Sequence, residues 1–122
     1  MKPQKGVLRR EGDYWTAIYG GTTVRLRDAK GIRHLDELLR HPRRAFHVLD
    51  LFGPGGDAQA RHQDEHDTAG VERIRKTVTN RIRRTLTRIR ALHDGLGLHL
   101  ENSIRTGTHC TYVPERAIRW TE

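Results

Sequence analysis

Cysteine is almost missing from this chain: one of 122 residues, Cys110. An internal disulfide is therefore excluded, and a reducing, cytoplasmic setting is expected. Long apolar runs are missing too. Nothing approaches the roughly 18 residues that a membrane span needs, so no membrane partner is expected. Met1-Lys-Pro-Gln-Lys leads into no hydrophobic segment, and no secretory signal is expected. Hydrophobic residues make up only 34% and aromatics 6%, which suits one thin two-layer domain rather than an enzyme with a deep cleft. No nucleophile elbow, Walker loop, Rossmann glycine pattern or zinc-finger spacing is present. The expectation is a protein without catalytic residues, cofactor or metal. Acid is also scarce: 15 Asp and Glu stand against 23 Lys and Arg, a formal charge of +8. A basic excess of that size points to a polyanionic partner, nucleic acid first.

What is present divides into blocks. Residues 6–28 read as a three-stranded antiparallel meander. Val7-Leu8-Arg9-Arg10 is followed by a Glu11-Gly12-Asp13 turn, then by the aromatic and branched run Tyr14 to Tyr19. Gly20-Gly21 and Thr22 to Arg27 complete it. Trp15, Tyr14 and Tyr19 suit sheet packing better than a base-stacking platform. Residues 29–52 hold a first helix and a short second element. Asp28 is placed to cap the helix, Ile32, Leu35, Leu38 and Leu39 share a face, and Pro42 stops it. Ala45 to Phe52 is apolar enough to be buried, as a strand, a helical turn, or both. Residues 53–70 read as a flexible loop, opened by Gly53-Pro54-Gly55-Gly56 and rich in Asp. It is long for a compact domain.

Residues 71–94 carry most of the information. Val71, Ile74, Val78, Ile82, Leu86, Ile89 and Leu92 recur at steps of three and four, which predicts one face of a long helix. Gly95 and Gly97 are expected to end it. Between Val71 and His93 there are eight Lys or Arg and one acid, Glu72. At about 100° per residue, Arg73, Lys76, Thr77, Asn80, Arg84 and Thr87 cluster opposite the apolar stripe. Arg81, Arg83 and Arg88 lie on its shoulders, and Arg75 and Arg90 nearer the packed side. Ordinary surface helices mix acids among their bases, because i,i+4 pairs stabilise and like charges repel. A helix that forgoes this relief suits one that normally lies against a polyanion. Arg, Asn and Thr are also the residue types that pair with guanine edges, adenine edges and phosphates. After a short apolar piece, Leu96 to Leu100, residues 103–113 read as a hairpin centred on Thr106-Gly107-Thr108. Residues 114–122 form a tail whose Trp120 suits docking on the sheet or on a partner.

In order, these elements resemble a winged helix-turn-helix domain of the OmpR/PhoB type. LRDAKGIRHLDELLRHPRRAFHVLDL looks like that family's strand, first helix and approach to the second helix. VTNRIRRTLTRIR is similar to its recognition helix and SIRTGTHCTYVP to its wing. GDYWTAIYGGTTVRLRDAKGIRHLDELLRHPRRAFHVLDL with IRTGTHCTYVP also looks like the C-terminal module of large actinobacterial ATP-binding regulators. The resemblance implies an α+β fold: a winged helix with an N-terminal meander, helical core, long basic recognition helix and C-terminal hairpin wing. It implies sequence-selective binding of double-stranded DNA in transcriptional control. Arg73, Lys76, Thr77, Asn80, Arg84 and Thr87 would then face the major groove, with Arg81, Arg83 and Arg88 beside them. Arg105, Thr106 and Thr108 would reach phosphates or an adjacent minor groove, and Arg43 and Arg44 the backbone. A homodimer or a regulatory protein partner suits such small readers. Two alternatives stand beside this: a protein-interaction module of the same fold, and RNA or single-strand binding through Trp15 and Tyr14.

Three smaller features have plain readings. His62-x-x-x-His66 with Asp64, Glu65 and Asp67 offers ligand types at metal-like spacing, but a Gly-flanked loop preorganises nothing and a solvated loop is expected. His99, His109 and Cys110 lack a metal spacing and suit structural or surface roles. Cys110 alternates with Tyr112, which predicts a packed thiol on the inward face of the hairpin.

Overall fold

The computed structural model describes residues 4–52 and 68–122. The loop expected over most of 53–70 and the His62/His66 motif within it therefore lie outside the described residues. The fold is α+β. Strands β1 (Gln4–Glu11), β2 (Tyr14–Tyr19) and β3 (Thr22–Arg27) form the expected antiparallel meander. Gly20 and Gly21 both take positive φ, 57° and 79°, as the two-residue turn between Tyr19 and Thr22 requires.

Helix α1 (Lys30–Arg40) follows. The expected cap does not form: Ala29 occupies that position without a side-chain hydrogen bond. Asp28 is drawn to stronger donors instead. Its carboxylate accepts from Trp15 Nε1 at 2.8 Å and from Arg33 and Arg10, tying the sheet to the start of α1. Two guanidiniums and an indole N–H outcompete a neutral backbone amide.

The Ala45–Phe52 run becomes both of its expected forms, β4 (Phe46–His47) and a single helical turn, α2 (Val48–Phe52). The basic helix α3 runs Thr68–Leu92, three residues further towards the N-terminus than expected. Gly95 and Gly97 do not end it. The chain breaks at His93 and re-enters helix as α4 (Asp94–Ser103), with both glycines inside. His93 Nδ1 accepts from Leu96 N at 3.2 Å, capping α4, while its Nε2 meets Tyr19 O at 2.8 Å. Gly97 serves packing: a Cβ there would lie 2.5 Å from Arg90 Cα. The missing side chain lets α4 fold back against α3.

β5 (Ile104–Arg105) and β6 (His109–Tyr112) form the terminal hairpin, and β4 joins it in a three-stranded sheet of order β4-β6-β5. The tail is the least expected element. β7 (Ile118–Thr121) lies parallel to β1, pairing Gln4 with Ile118, and completes a four-stranded sheet of order β3-β2-β1-β7. Trp120 thus docks on the sheet, its ring over Gly6.

The core fills the space between the four-stranded sheet and the helices. Leu8, Trp15, Ala17 and Leu26 meet Ile32, Leu35, Leu38, Val78, Ile82, Ile89, Leu96 and Leu100, all nearly or fully buried. Cys110 and Tyr112 are fully buried, as their alternation predicts. Among the described residues, no helix is long and apolar enough to cross a membrane.

Candidate nucleic-acid interface

Helix α3 buries Ile74, Val78, Ile82, Leu86 and Ile89. Leu92, the last member of the sequence stripe, stands exposed where the helix breaks. Thr79 and Thr85 widen the buried face, and at Thr85 α1 crosses α3 closely through Gly31. With that face turned inward, Arg73, Lys76, Asn80, Arg83, Arg84, Thr87 and Arg88 remain exposed. Arg73, Lys76, Arg83, Arg84 and Arg88 have no carboxylate within ion-pair distance among the described residues. The acids in reach are used elsewhere. Glu72 holds Arg75, which raises the Arg75 pKa and lowers its own. Arg90, expected nearer the packed side, is exposed and binds Asp94 at 3.1 Å and Glu101 at 2.6 Å.

Not every residue of the expected face is equally available. Thr77 and Thr87 donate their hydroxyls to the carbonyls of Arg73 and Arg83, 3.0 Å away. Such back-bonding leaves the methyls and the remaining oxygen lone pairs to a partner. Arg81 is half-buried, with its guanidinium 5.1 Å from the centre of the Phe52 ring. Desolvation lowers its pKa. Arg81 fastens α2 to α3.

The hairpin stands beside α3. A groove of about 400 Å³ separates them, floored by Ile82, Leu86 and Ile104 and rimmed by Arg83, Thr87, Thr106 and Glu101. Arg83, Thr87 and Thr106 are therefore brought together around one opening, and Arg105 and Thr108 are exposed on the same hairpin. Thr108 is also structural: its carbonyl accepts from Val48 N at 2.9 Å and locks the hairpin to α2. Arg43 and Arg44 are exposed, and both also make contacts within the fold. Arg43 takes a positive φ of 68°, donates its N–H to Tyr112 O, and sends its guanidinium to Pro114 O. Arg44 lies 4.7 Å over Phe46. Both reinforce the base of the hairpin.

Glu101 was absent from the sequence-derived set. It is the one carboxylate among the described residues that line the groove, and only the fold-back of α4, invisible in the helical spacing, brings it there. The aromatic joint between the sheets was equally hidden. Tyr19 stacks on His99 and on Trp120, and the Tyr112 hydroxyl accepts from Trp120 Nε1 and meets His99 Nε2 at 2.7 Å. Burial lowers the His99 pKa and raises that of Tyr112.

Comparison with protein-family models, with curated proteins and with solved structures gives no match.

Proposed function

We propose that this protein binds double-stranded DNA in a sequence-selective way, as a winged-helix transcriptional regulator, with α3 in the major groove and the β5–β6 hairpin as its wing. The observation that carries this reading is the exposed face of α3, on which Arg73, Lys76, Arg83, Arg84 and Arg88 face solvent with no carboxylate partner among the described residues. Phosphate neutralisation supplies the affinity of such a face, and Asn80 with its neighbouring arginines supplies donors and acceptors for base edges. The sheet order β4-β6-β5 favours the wing assignment, since it lays a strand from between the first two helices against the hairpin. The groove between α3 and the hairpin offers an apolar floor to a thymine methyl and, in Glu101, an acceptor for the cytosine amino group. Trp15 is only 4% exposed and donates to Asp28, which leaves single-strand stacking with Tyr14 alone.

Selection from a random duplex pool, followed by mobility-shift titration in salt, tests the reading. The expected result is an enriched sequence and a steep fall of log affinity with log salt, reflecting several displaced counterions. Arg84→Ala or Asn80→Ala should cost about 1–3 kcal/mol on the selected site. No shift with any duplex at low salt would sink it.

A further inference from the structure

The four-stranded sheet turns Leu8, Trp15, Ala17 and Leu26 to the core, so alternate residues point away from it. That outer face carries Lys5, Arg9, Arg25, Arg27 and Arg119, all exposed, against a single carboxylate among the described residues, Glu11. Glu11 is taken by Arg9 at 2.8 Å. The other four cations have no carboxylate within ion-pair distance among the described residues. Lys5 sits directly opposite Arg119 across β1 and β7, and Arg9 and Arg25 flank Thr16 from either side. Like charges placed across strands destabilise a sheet, so this surface gives up stability as α3 does. At its centre Thr16 is 3% exposed, closed in between Arg9 and Arg25, and its hydroxyl helps to hold the Glu11 carboxyl below its usual pKa. The core separates this face from α3, whose own cations also point outward.

From the charge and the cross-strand register together, we propose that the outer face of the four-stranded sheet is a second phosphate-binding surface that holds a second DNA duplex, so that one molecule bridges two segments. This rests on the reading of α3 as a duplex-binding helix. The occupant follows from the donor set. Guanidiniums dominate, and they pair with phosphate oxygens two at a time. The exposed Thr23 and Thr121 on the same face add hydroxyls, which are common phosphate donors. Apolar surface among the described residues of this face is small: Val7 and Ile18, the central aliphatic pair, are half-covered by their neighbours, and Tyr14, 51% exposed, stands apart at the other end of β2.

The test is a capture assay with the full chain near physiological salt. One duplex is fixed to beads, and a second, fluorescent duplex is offered in solution. The wild type should be retained on the beads and should capture the second duplex. Arg25→Gln/Arg27→Gln, and separately Arg9→Gln/Arg119→Gln, should be retained on the first duplex but capture the second roughly tenfold less, from lost phosphate contacts. Retention on the first duplex shows that each variant is folded. Capture undiminished in both variants would overturn the proposal and assign bridging to paired α3 helices. Retention of the wild type without capture would also overturn it, leaving the face to an acidic protein or to solvent. A wild type that is not retained at all would overturn the reading of α3 and this proposal with it.

Discussion

His34 sits on the buried side of α1, 6% exposed, and its Nε2 has no hydrogen-bond partner among the described residues. Burial, reinforced by the charges of Arg81 and Lys30, pushes its pKa down to about 4 from 6.5. The unfolded chain therefore binds a proton that the native state refuses between those two values. Stability should be full above pH 6.5 and fall by about 3 kcal/mol as pH drops to 4. Urea midpoints at pH 7 and pH 5 should differ less in His34→Leu than in the wild type; an equal drop in both would refute the assignment. Asp28 works in a lower window. Its carboxyl is held down to about 2, first by Arg33 and then by the Trp15 N–H and Arg10. Its contribution is present above pH 3.8 and is lost as pH falls through 2. Asp28→Asn should cost about 1–2 kcal/mol at pH 7, reduced by the solvent exposure of both arginines, and should flatten the acid end of the stability profile. At this scale the sequence was partly legible. It placed Arg73, Asn80 and Arg84 on an open face, because helical spacing alone decides that. It misjudged Asp28, because a cap competes with partners from distant strands, and it missed Glu101, because only the fold-back of α4 brings that residue to the groove.

Among the elements, Gly31 and Gly97, of a residue type that disfavours helix, are where helices touch. A Cβ on Gly31 would lie 2.2 Å from Thr85 Oγ1 and 2.3 Å from Arg81 O, distances that backbone cannot yield cheaply. In an isolated helix Gly→Ala is favourable by about 1 kcal/mol. Here Gly31→Ala should destabilise by about 2 kcal/mol or more by overpacking, and should weaken duplex binding by displacing α3. Thermal melting of the variant checks the sign; a raised midpoint would show that α1 and α3 do not cross so closely. The meander, α1 and the hairpin were legible because their signals are local: alternation, turn residues, an apolar stripe and Pro42. α4 and β7 were not. α4 has glycines where a helix is disfavoured, and only its seat on Arg90 explains them. β7 is four residues long, and its partner is more than a hundred residues away.

The whole molecule places cations on two faces with the core between them, while several of the described acids form internal ties such as Glu72–Arg75, Arg90–Asp94 and Arg40–Asp36. The α+β class was legible because the meander, α1, α3 and the hairpin rest on local patterns of the kinds above. The second charged face was not, since it exists only once register aligns Arg9, Arg25 and Arg119 on one side of the sheet.

The pairing of β1 with β7 also has a consequence in time. Gln4 must wait for Ile118, so the sheet cannot gain its last strand until the chain as far as Thr121 has left the ribosome. Contacts that close so long a loop form slowly. The two tryptophans divide the process between them, Trp15 in the meander and Trp120 in the closing strand. In single-tryptophan variants made with phenylalanine, stopped-flow refolding should show the Trp15 signal settling before the Trp120 signal. Simultaneous traces would mean that the first and last strands are gathered in one step.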